Sequence, residues 1–268
     1  MRQITLALTH YNRLPFLLEC FAQVLDDPRI QEIVISDDAS TDGSYEKLME
    51  MFPFNGPGKV RVLRNLRNED CYRNKKVAVL RSSLDWVVLF DSDNVLTPSY
   101  LDRLYEIPEW DPSVVYCPDF AEPHFNYSTF AGQVIDHTNI ARLMVSHLPP
   151  SKKGSVQGTL HPPFLKRKDR LKYGTKGDKL PRITTSLNTC NFFVHRASYL
   201  AVWDGSVDPH TADSMFQMLN WLKSGRKIFI VPNLRYYHRI HDLSHYKLNW
   251  RKTGSLAREI EEELKKMI

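Results

Sequence analysis

The sequence lacks the segments that direct a chain into a membrane or stabilise it through disulfides. No run of apolar residues approaches the roughly 18 that a spanning helix needs. The first ten residues also lack the longer apolar region and the small-residue cleavage site of a signal peptide. The four cysteines are scattered without a C-x-x-C pair, which argues against a disulfide framework or a zinc site. We therefore expect a cytoplasmic protein whose thiols are reduced and buried.

The glycine-rich phosphate-binding motifs are missing as well. No G-x-G-x-x-G follows the first predicted strand, and no G-x-x-x-x-G-K-S/T occurs in the chain. Dinucleotide-binding and P-loop sites therefore lack their usual backbone cradle. If a phosphate group binds to this protein, a metal ion and side-chain cations must hold it.

Positive charge is concentrated in one segment. The 268 residues carry a formal net charge of +5, but residues 151–182 alone hold ten Lys and Arg against two Asp, a local charge of +8. Residues 149–185 have little apolar periodicity, which is typical of a functional or mobile loop. We expect a basic flap that meets an anionic acceptor or the cytoplasmic membrane face, although a plain solvated loop fits equally well. Its few aromatic residues argue against a nucleic-acid partner.

Short apolar runs alternate with helical periodicity through the first half of the chain. Apolar residues make up 42% of the sequence, enough for a core. Continuous apolar strands separated by helices predict a mostly parallel α/β sheet with helices on both faces. The predicted strands of the whole chain are 4–8, 33–35, 60–63, 86–90, 114–117, 190–194 and 228–231. A last amphipathic helix is expected over 247–268, with Ser255 as a candidate N-cap.

Acidic clusters follow two of these strands. Asp91-Ser92-Asp93 comes directly after the most hydrophobic strand, and Asp37-Asp38 begins a turn after the second strand. Ligands of parallel α/β sheets bind beyond the carboxyl ends of the strands. Paired carboxylates suit Mg²⁺ or Mn²⁺, which take oxygen ligands together with phosphate oxygens. Each cluster taken alone is also typical of an ordinary turn or helix cap.

Three motifs in order resemble the family-two nucleotide-sugar glycosyltransferases with the GT-A fold. They are Thr9-His10-Tyr11-Asn12-Arg13, Ser36 to Asp42, and Leu89 to Asn94. The resemblance implies a Rossmann-like, mostly parallel sheet with an irregular acceptor-side C-terminal part. It also implies that a sugar is transferred from a nucleotide-diphosphate sugar, usually a UDP-sugar, with Mn²⁺ or Mg²⁺. Residues 1–120 would be the donor half and 121–246 the acceptor half of a single domain.

The resemblance assigns the donor-binding roles residue by residue. Thr9 and Tyr11 would line the nucleoside pocket, with Tyr11 near the base, and Arg13 would also bind the nucleotide sugar. Asp38 would receive the uracil imide N–H. Asp93 would bind the metal ion, with Asp91 supporting it, and Ser92 would contact the nucleotide sugar. Three cations before the fourth strand would approach the diphosphate or the sugar: Arg73, Lys75 and Lys76. For the three cations, a solvated basic helix face is an equally good interpretation.

The second half offers a general base and a further metal ligand. Asp213 matches the second member of the family's Glu-Asp pair, the base of inverting members, although Ala212 replaces the Glu. Asp213 also fits a helix N-terminus, where the dipole favours a carboxylate. Arg239, His241 and Ser244 match an R-x-H-x-x-S closing segment, so His241, or less favourably His238, would complete the metal shell. Surface histidines on a loop are the simpler alternative.

Two other functions fit parts of the sequence. The apolar strand before Asp91 and Asp93 also resembles the phosphatase motif of the haloacid dehalogenase superfamily, in which Asp91 would be the nucleophile. The basic segment also fits a non-catalytic protein that binds an anionic ligand. The sequence leaves open the donor sugar, the acceptor, the linkage, the stereochemical outcome and the oligomeric state.

Overall fold

A single nine-stranded sheet organises the part of the chain that the structure describes. The computed structural model describes residues 2–54, 56, 58–140, 143, 191–209, 212–239, 241 and 245–267. Its strands are β1 Ile4–His10, β2 Ile30–Asp37, β3 Val60–Arg64, β4 Trp86–Asp91, β5 Val114–Glu122, β6 Phe125–Asn126, β7 Val134–Ile135, β8 Phe192–His195 and β9 Lys227–Tyr237. Its helices are α1 Leu14–Phe21, α2 Ser44–Met51, α3 Asp70–Arg81, α4 Pro98–Tyr105, α5 Arg196–Ala201, α6 Asp213–Lys223 and α7 His245–Lys265.

The strand order places a topological switch beside β1. The order is β3-β2-β1-β4-β8-β5-β9-β7, with β6 paired to β5. β1 pairs in parallel with both β2 and β4, so β2 and β3 lie on one side of it and β4 lies on the other. A crevice forms at such a point, beyond the carboxyl ends of the strands. β8 runs antiparallel to β4 and β5, so its amino end lies at that same edge.

Two apolar clusters cover the two faces of the sheet. Alternate residues of β1 point to opposite faces: Leu6 and Leu8 join the cluster with α1, α2 and α4, whereas Ala7 joins the one with α3, α6 and α7. This alternation is the period of a strand buried on both sides. The mostly parallel α/β sheet predicted from the sequence is therefore confirmed.

Most local predictions agree with the structure, and one is wrong. Pro15 occupies the first turn of α1, and Gly225 ends α6 with a positive φ of 79°. The last helix does not begin near Ser255: α7 starts at His245, so Ser255 lies inside it. The expected helix over 247–268 overlaps nearly all of α7, so the misplaced feature is the N-cap.

Three of the four cysteines lie in the part of the chain that the structure describes. Cys20 and Cys117 are buried free thiols and Cys71 is partly exposed, whereas Cys190 lies outside the described residues. Within the described part of the chain, no helix combines the length and apolar character needed to cross a bilayer. The predicted basic loop 149–185 and its segment 151–182 also lie outside the described residues. The division into donor and acceptor halves stays a prediction.

A matched pair of phenylalanines tests where the core lies. Phe193 of β8 is fully buried, with its ring 5.0 Å from that of Trp86 and 4.6 Å from that of Trp110. We expect Phe193→Ala to lower the free energy of unfolding by about 3–5 kcal/mol, because it leaves a cavity among these rings. Phe54 is 75% exposed, so Phe54→Ala should change it by less than about 0.5 kcal/mol. Urea denaturation measures both variants, and equal losses would contradict this assignment of the core.

Candidate active site

The carboxyl ends of β1, β2 and β4 meet at one edge of the sheet. In the strand register, Thr9 lies between Ser36 on one side and Asp91 on the other. The Thr9 hydroxyl lies 3.5 Å from Asp91 Oδ1, and the Ser92 backbone N–H donates to the Thr9 carbonyl at 3.3 Å. Ser92 itself is buried. The three motifs singled out in the sequence are therefore neighbours in space.

Asp38 presents a fixed carboxylate at this edge. Its Oδ1 accepts hydrogen bonds from Asn65 Nδ2 at 2.8 Å and from the Glu69 backbone N–H at 2.9 Å. The residue as a whole is only 4% exposed. Burial raises the pKa of Asp38 and outweighs these two hydrogen bonds, which lower it. Asp38 can therefore accept a hydrogen bond from a ligand without having to reorient.

The turn after β1 forms the rim beside Asp38. Tyr11 is 39% exposed there. The next residue, Asn12, has a φ of 54° and ties this turn to the loop after β2. The Asn12 backbone N–H donates to Ser40 Oγ at 2.9 Å, and Asn12 Oδ1 accepts the Thr41 backbone N–H at 2.7 Å. The exposed Tyr11 thus stands on a turn that is joined to the loop carrying Asp38.

Asp93 gathers a second group of side chains. Its Oδ2 lies 3.1 Å from Arg13 Nη1 and 3.2 Å from His241 Nε2. Burial raises the pKa of Asp93, but the contacts with His241 and Arg13 lower it by more, so the net shift is downward. The carboxylate is therefore held in its charged form. The structure therefore brings together three residues that the sequence placed in one site, although 148 positions separate Asp93 from His241.

The segment that carries His241 is attached to α1 and to the turn after β4. The Arg239 backbone N–H donates to Asn94 Oδ1 at 3.0 Å, and its guanidinium lies 4.4 Å from the centre of the Phe16 ring. His238 is half-buried against Phe125, with 5.0 Å between the ring centres. Burial lowers the pKa of His238 to about 4, so this imidazole is neutral. Ser244, the last member of the predicted closing segment, lies outside the described residues.

Lys75 joins the two remaining carboxylates. Its ammonium lies 2.6 Å from Asp213 Oδ2 and 3.2 Å from Asp91 Oδ1. The side chains of Lys75 and Asp213 are only 6% and 5% exposed. A buried charge is costly unless a partner of opposite sign compensates it, and here one cation serves two anions. The predicted base thus lies beside the predicted metal motif, connected to it through a lysine.

The other two cations of α3 lie elsewhere. Arg73 is half-exposed, and its Nη1 is 3.9 Å from the Glu69 carboxylate. The Lys76 ammonium lies 4.6 Å from the centre of the Trp203 ring. Of the three cations singled out in the sequence, Lys75 is therefore the one that the structure places against Asp91 and Asp213. The roles of Arg73 and Lys76 at the diphosphate or sugar stay predictions.

Sequence reasoning missed some residues that shape the site. Asn191, which has a φ of 93°, accepts the Asp91 backbone N–H on its Oδ1 at 2.7 Å. Tyr72 donates from its hydroxyl to Gln217 Oε1 at 3.1 Å, which links α3 to α6. The position of Asn191 just before an apolar strand was a usable signal, since Asn tolerates positive φ. The Tyr72–Gln217 pair has no local signal.

The described residues form an incomplete cage for a metal ion. Among them, no three His, Cys, Asp or Glu side chains converge as ligands. Asp93 and His241 do approach each other; a carboxylate suits Mg²⁺ or Mn²⁺, and an imidazole is a common ligand of metal ions in general. Two protein ligands suffice when phosphate oxygens and water complete the shell, as is usual for Mg²⁺. The residues present therefore fit a divalent cation that binds together with a diphosphate.

The family model described as Glycosyl transferase family 2 matches residues 5–187 of the sequence. This chain belongs to that family. The match covers β1 to β4 and all three motifs at the switch point. The phosphatase and the non-catalytic alternatives are therefore set aside, and the chain is a glycosyltransferase. No curated protein sequence matches it.

Solved structures with the GT-A fold resemble the whole chain. Residues 1–349 of S. aureus TarS, in complex with UDP-GlcNAc, match with a TM-score of 0.62 and 14% identity, over 97% of this chain and 66% of that one. The mannosyltransferase PcManGT from Pyrobaculum calidifontis, in complex with GDP-Man and Mn²⁺, matches with a TM-score of 0.60 and 13% identity, over 100% and 68%. This glycosyltransferase thus shares their fold and spans about two thirds of their length.

The buried carboxylate of Asp38 gives a pH-dependent prediction. The pKa of Asp38 is higher in the folded protein than in the unfolded chain, where it is about 3.9. The protonated carboxyl therefore stabilises the folded protein below the unfolded-state pKa, and this contribution is lost as the pH rises through the folded-state pKa. As the pH rises through that range, we expect the free energy of unfolding of Asp38→Asn to increase relative to that of the original protein. The free energy of unfolding, measured by urea at a series of pH values, checks this.

Asp42, on the same loop, is the matched control. Although its partial burial raises the pKa, hydrogen bonds from Ser44 lower it more. Asp42→Asn should therefore lose stability at neutral pH relative to the original protein. If both variants shift in the same direction, the opposite environments assigned to these carboxylates are incorrect.

Proposed function

We propose that this glycosyltransferase transfers a sugar from a UDP-sugar to an acceptor hydroxyl, with a divalent metal and with inversion at the anomeric carbon. The observation that carries this proposal is the convergence of three carboxylates at the switch point. Asp38 lies at the end of β2, Asp93 follows β4, and Asp213 begins α6 beside Lys75. Each is held by different partners, which suits three different tasks.

Asp38 and Tyr11 form the nucleoside pocket in this proposal. A buried carboxylate that already accepts two hydrogen bonds has lone pairs left for the imide N–H of uracil. Tyr11, exposed at the rim, supplies an aromatic face for the base, and Thr9 lies below them at the end of β1. Nucleotide donors in TarS (UDP-GlcNAc) and in PcManGT (GDP-Man) support a nucleotide-sugar here.

Asp93 and His241 would hold the metal ion, with Asp91 supporting them at the other end of the motif. When bound, Mn²⁺ or Mg²⁺ stabilises the negative charge that develops on the departing diphosphate. Arg13, already 3.1 Å from Asp93, adds a cation on the same side. The presence of Mn²⁺ in PcManGT supports this proposal.

Asp213 is the general base in this proposal. An attacking hydroxyl must lose its proton to a group within hydrogen-bond reach. Lys75 fixes the Asp213 carboxylate at 2.6 Å, next to Asp91 and therefore next to the place of the donor sugar. One carboxylate that deprotonates the acceptor, with no second nucleophile, gives direct displacement and inversion. The acceptor itself would meet the half of the chain that follows residue 120.

A panel of nucleotide sugars tests the donor site. We expect UDP-sugars with Mn²⁺ to raise the thermal midpoint of unfolding, since a ligand specific for the folded state stabilises it. GDP-sugars should raise it less. Asp38→Asn should remove the preference for uridine. The side-chain oxygen would stay with Asn65 and the Glu69 N–H, so the new amide N–H would face the imide N–H of uracil. Asp42→Asn should keep the preference. If no nucleotide sugar raises the midpoint in the original protein, the proposed function is wrong.

Replacement of the base should separate chemistry from binding. We expect Asp213→Asn to lower the turnover of the preferred UDP-sugar by about 10²- to 10⁴-fold, the usual contribution of a general base. The dissociation constant of UDP, measured by calorimetry with Mn²⁺, should change little. Asp119→Asn is a suitable control, since Asp119 is buried on β5 and is bound by the Asn233 backbone N–H at 2.8 Å. Equal effects of the two variants on turnover would argue against Asp213 as the base.

A further inference from the structure

Tyr72 lies where α3 meets α6 and the segment before α6. It is 2% exposed, and its ring stacks on that of Trp203, with 5.3 Å between centres and 19° between planes. Its hydroxyl accepts the Asp204 backbone N–H at 3.3 Å and donates to Gln217 Oε1 at 3.1 Å. Burial raises the pKa of Tyr72 well above its usual range, so the phenol keeps its proton and donates. One hydroxyl thus connects three parts of the chain.

Gln217 is fixed at both ends of its amide. Its Oε1 accepts from Tyr72, and its Nε2 donates to the Tyr199 carbonyl of α5 at 3.3 Å. The residue is buried, with 1% exposure. A buried amide with both ends bonded cannot rotate without losing a partner, which costs about 1–3 kcal/mol. The Tyr72–Gln217 contact is therefore a specific link rather than an incidental one.

This link and the Lys75–Asp213 ion pair form two parallel connections between the same two helices. Tyr72 precedes Lys75 by three residues on α3, and Gln217 follows Asp213 by four on α6. Residues three and four apart share one helix face, about one turn from each other. A single contact lets two helices pivot about it, whereas two contacts a turn apart fix the rotation of α6. The Asp213 carboxylate moves with that rotation.

We propose that Tyr72, acting through Gln217, is a positioning residue for the base Asp213. This inference rests on the proposed function, since it concerns the residue assigned there as the base. Neither Tyr72 nor Gln217 contacts Asp91, Asp93 or Asp38 in the described contacts, so they act through α6. Reactions of this kind are sensitive to displacements of about 1 Å, which can cost up to about 100-fold in rate.

The test uses hydrolysis of the preferred UDP-sugar with Mn²⁺ in the full chain, since water replaces the unidentified acceptor. Tyr72→Phe removes one hydroxyl and keeps the ring on Trp203. We expect turnover to fall by about tenfold, while the dissociation constant of UDP changes by less than about twofold. Gln217→Leu should give the same split. Tyr116→Phe is the matched control, because the buried Tyr116 hydroxyl accepts the Asp111 backbone N–H at 2.8 Å at the opposite end of the sheet.

A double-variant cycle distinguishes positioning from loss of stability. In the Asp213→Asn background, Tyr72→Phe should lower turnover by less than about twofold, because the base that it positions is already gone. A full tenfold loss there, or a loss no greater than that of Tyr116→Phe in the original background, would overturn the inference and leave the proposed function standing. If Asp213→Asn alone keeps full turnover, the proposed base is wrong and the inference falls with it.

Discussion

The ammonium of Lys75 is the interaction on which the arrangement of the site depends. It is buried between Asp91 of β4 and Asp213 of α6, so it joins the donor-side motif to the second half of the chain. If Lys75 were neutral, the two carboxylates would face each other in a region with little water to screen them. With it, one cation compensates charge on two carboxylates, and removal of Lys75 would leave both of them without this partner. Because burying these charges is costly, α3 and α6 must hold Lys75 and Asp213 close together at the end of β4.

Much of the fold could be predicted because its strands are continuous apolar runs. In a sheet buried on both faces, composition and flanking turns are enough to identify a strand, and the polar residues after each strand must lie at a common edge. Asp38 and Asp93 follow β2 and β4 and could be found in this way. The N-cap of α7 was misplaced at Ser255, because a residue type that commonly caps helices stands there just before the apolar stripe that begins at Leu256.

Contacts between distant parts of the chain explain what was missed within the site. Helical periodicity places Tyr72, Lys75 and Val79 on one face of α3, so the burial of Lys75 had a signal, but its partner 138 residues away had none. Arg73 falls on the other face and is exposed for the same geometric reason. His241 was found through a family pattern, whereas its contact with Asp93 depends on the path of β9 across the sheet. Sequence patterns identify faces and edges, and the fold selects which of them meet.

The position of β8 has a consequence for how the chain must be made. β8 separates β4 from β5, although both precede it in sequence by about 70 residues or more. During synthesis, β4 and β5 leave the ribosome before residues 192–195. Until then β4 lacks a partner on one edge, and β5 also lacks β9, which follows β8 in the sequence. Unpaired edges of apolar strands invite association with other chains. The nascent enzyme therefore passes through an interval in which its first half is complete in sequence but open at the centre of its sheet.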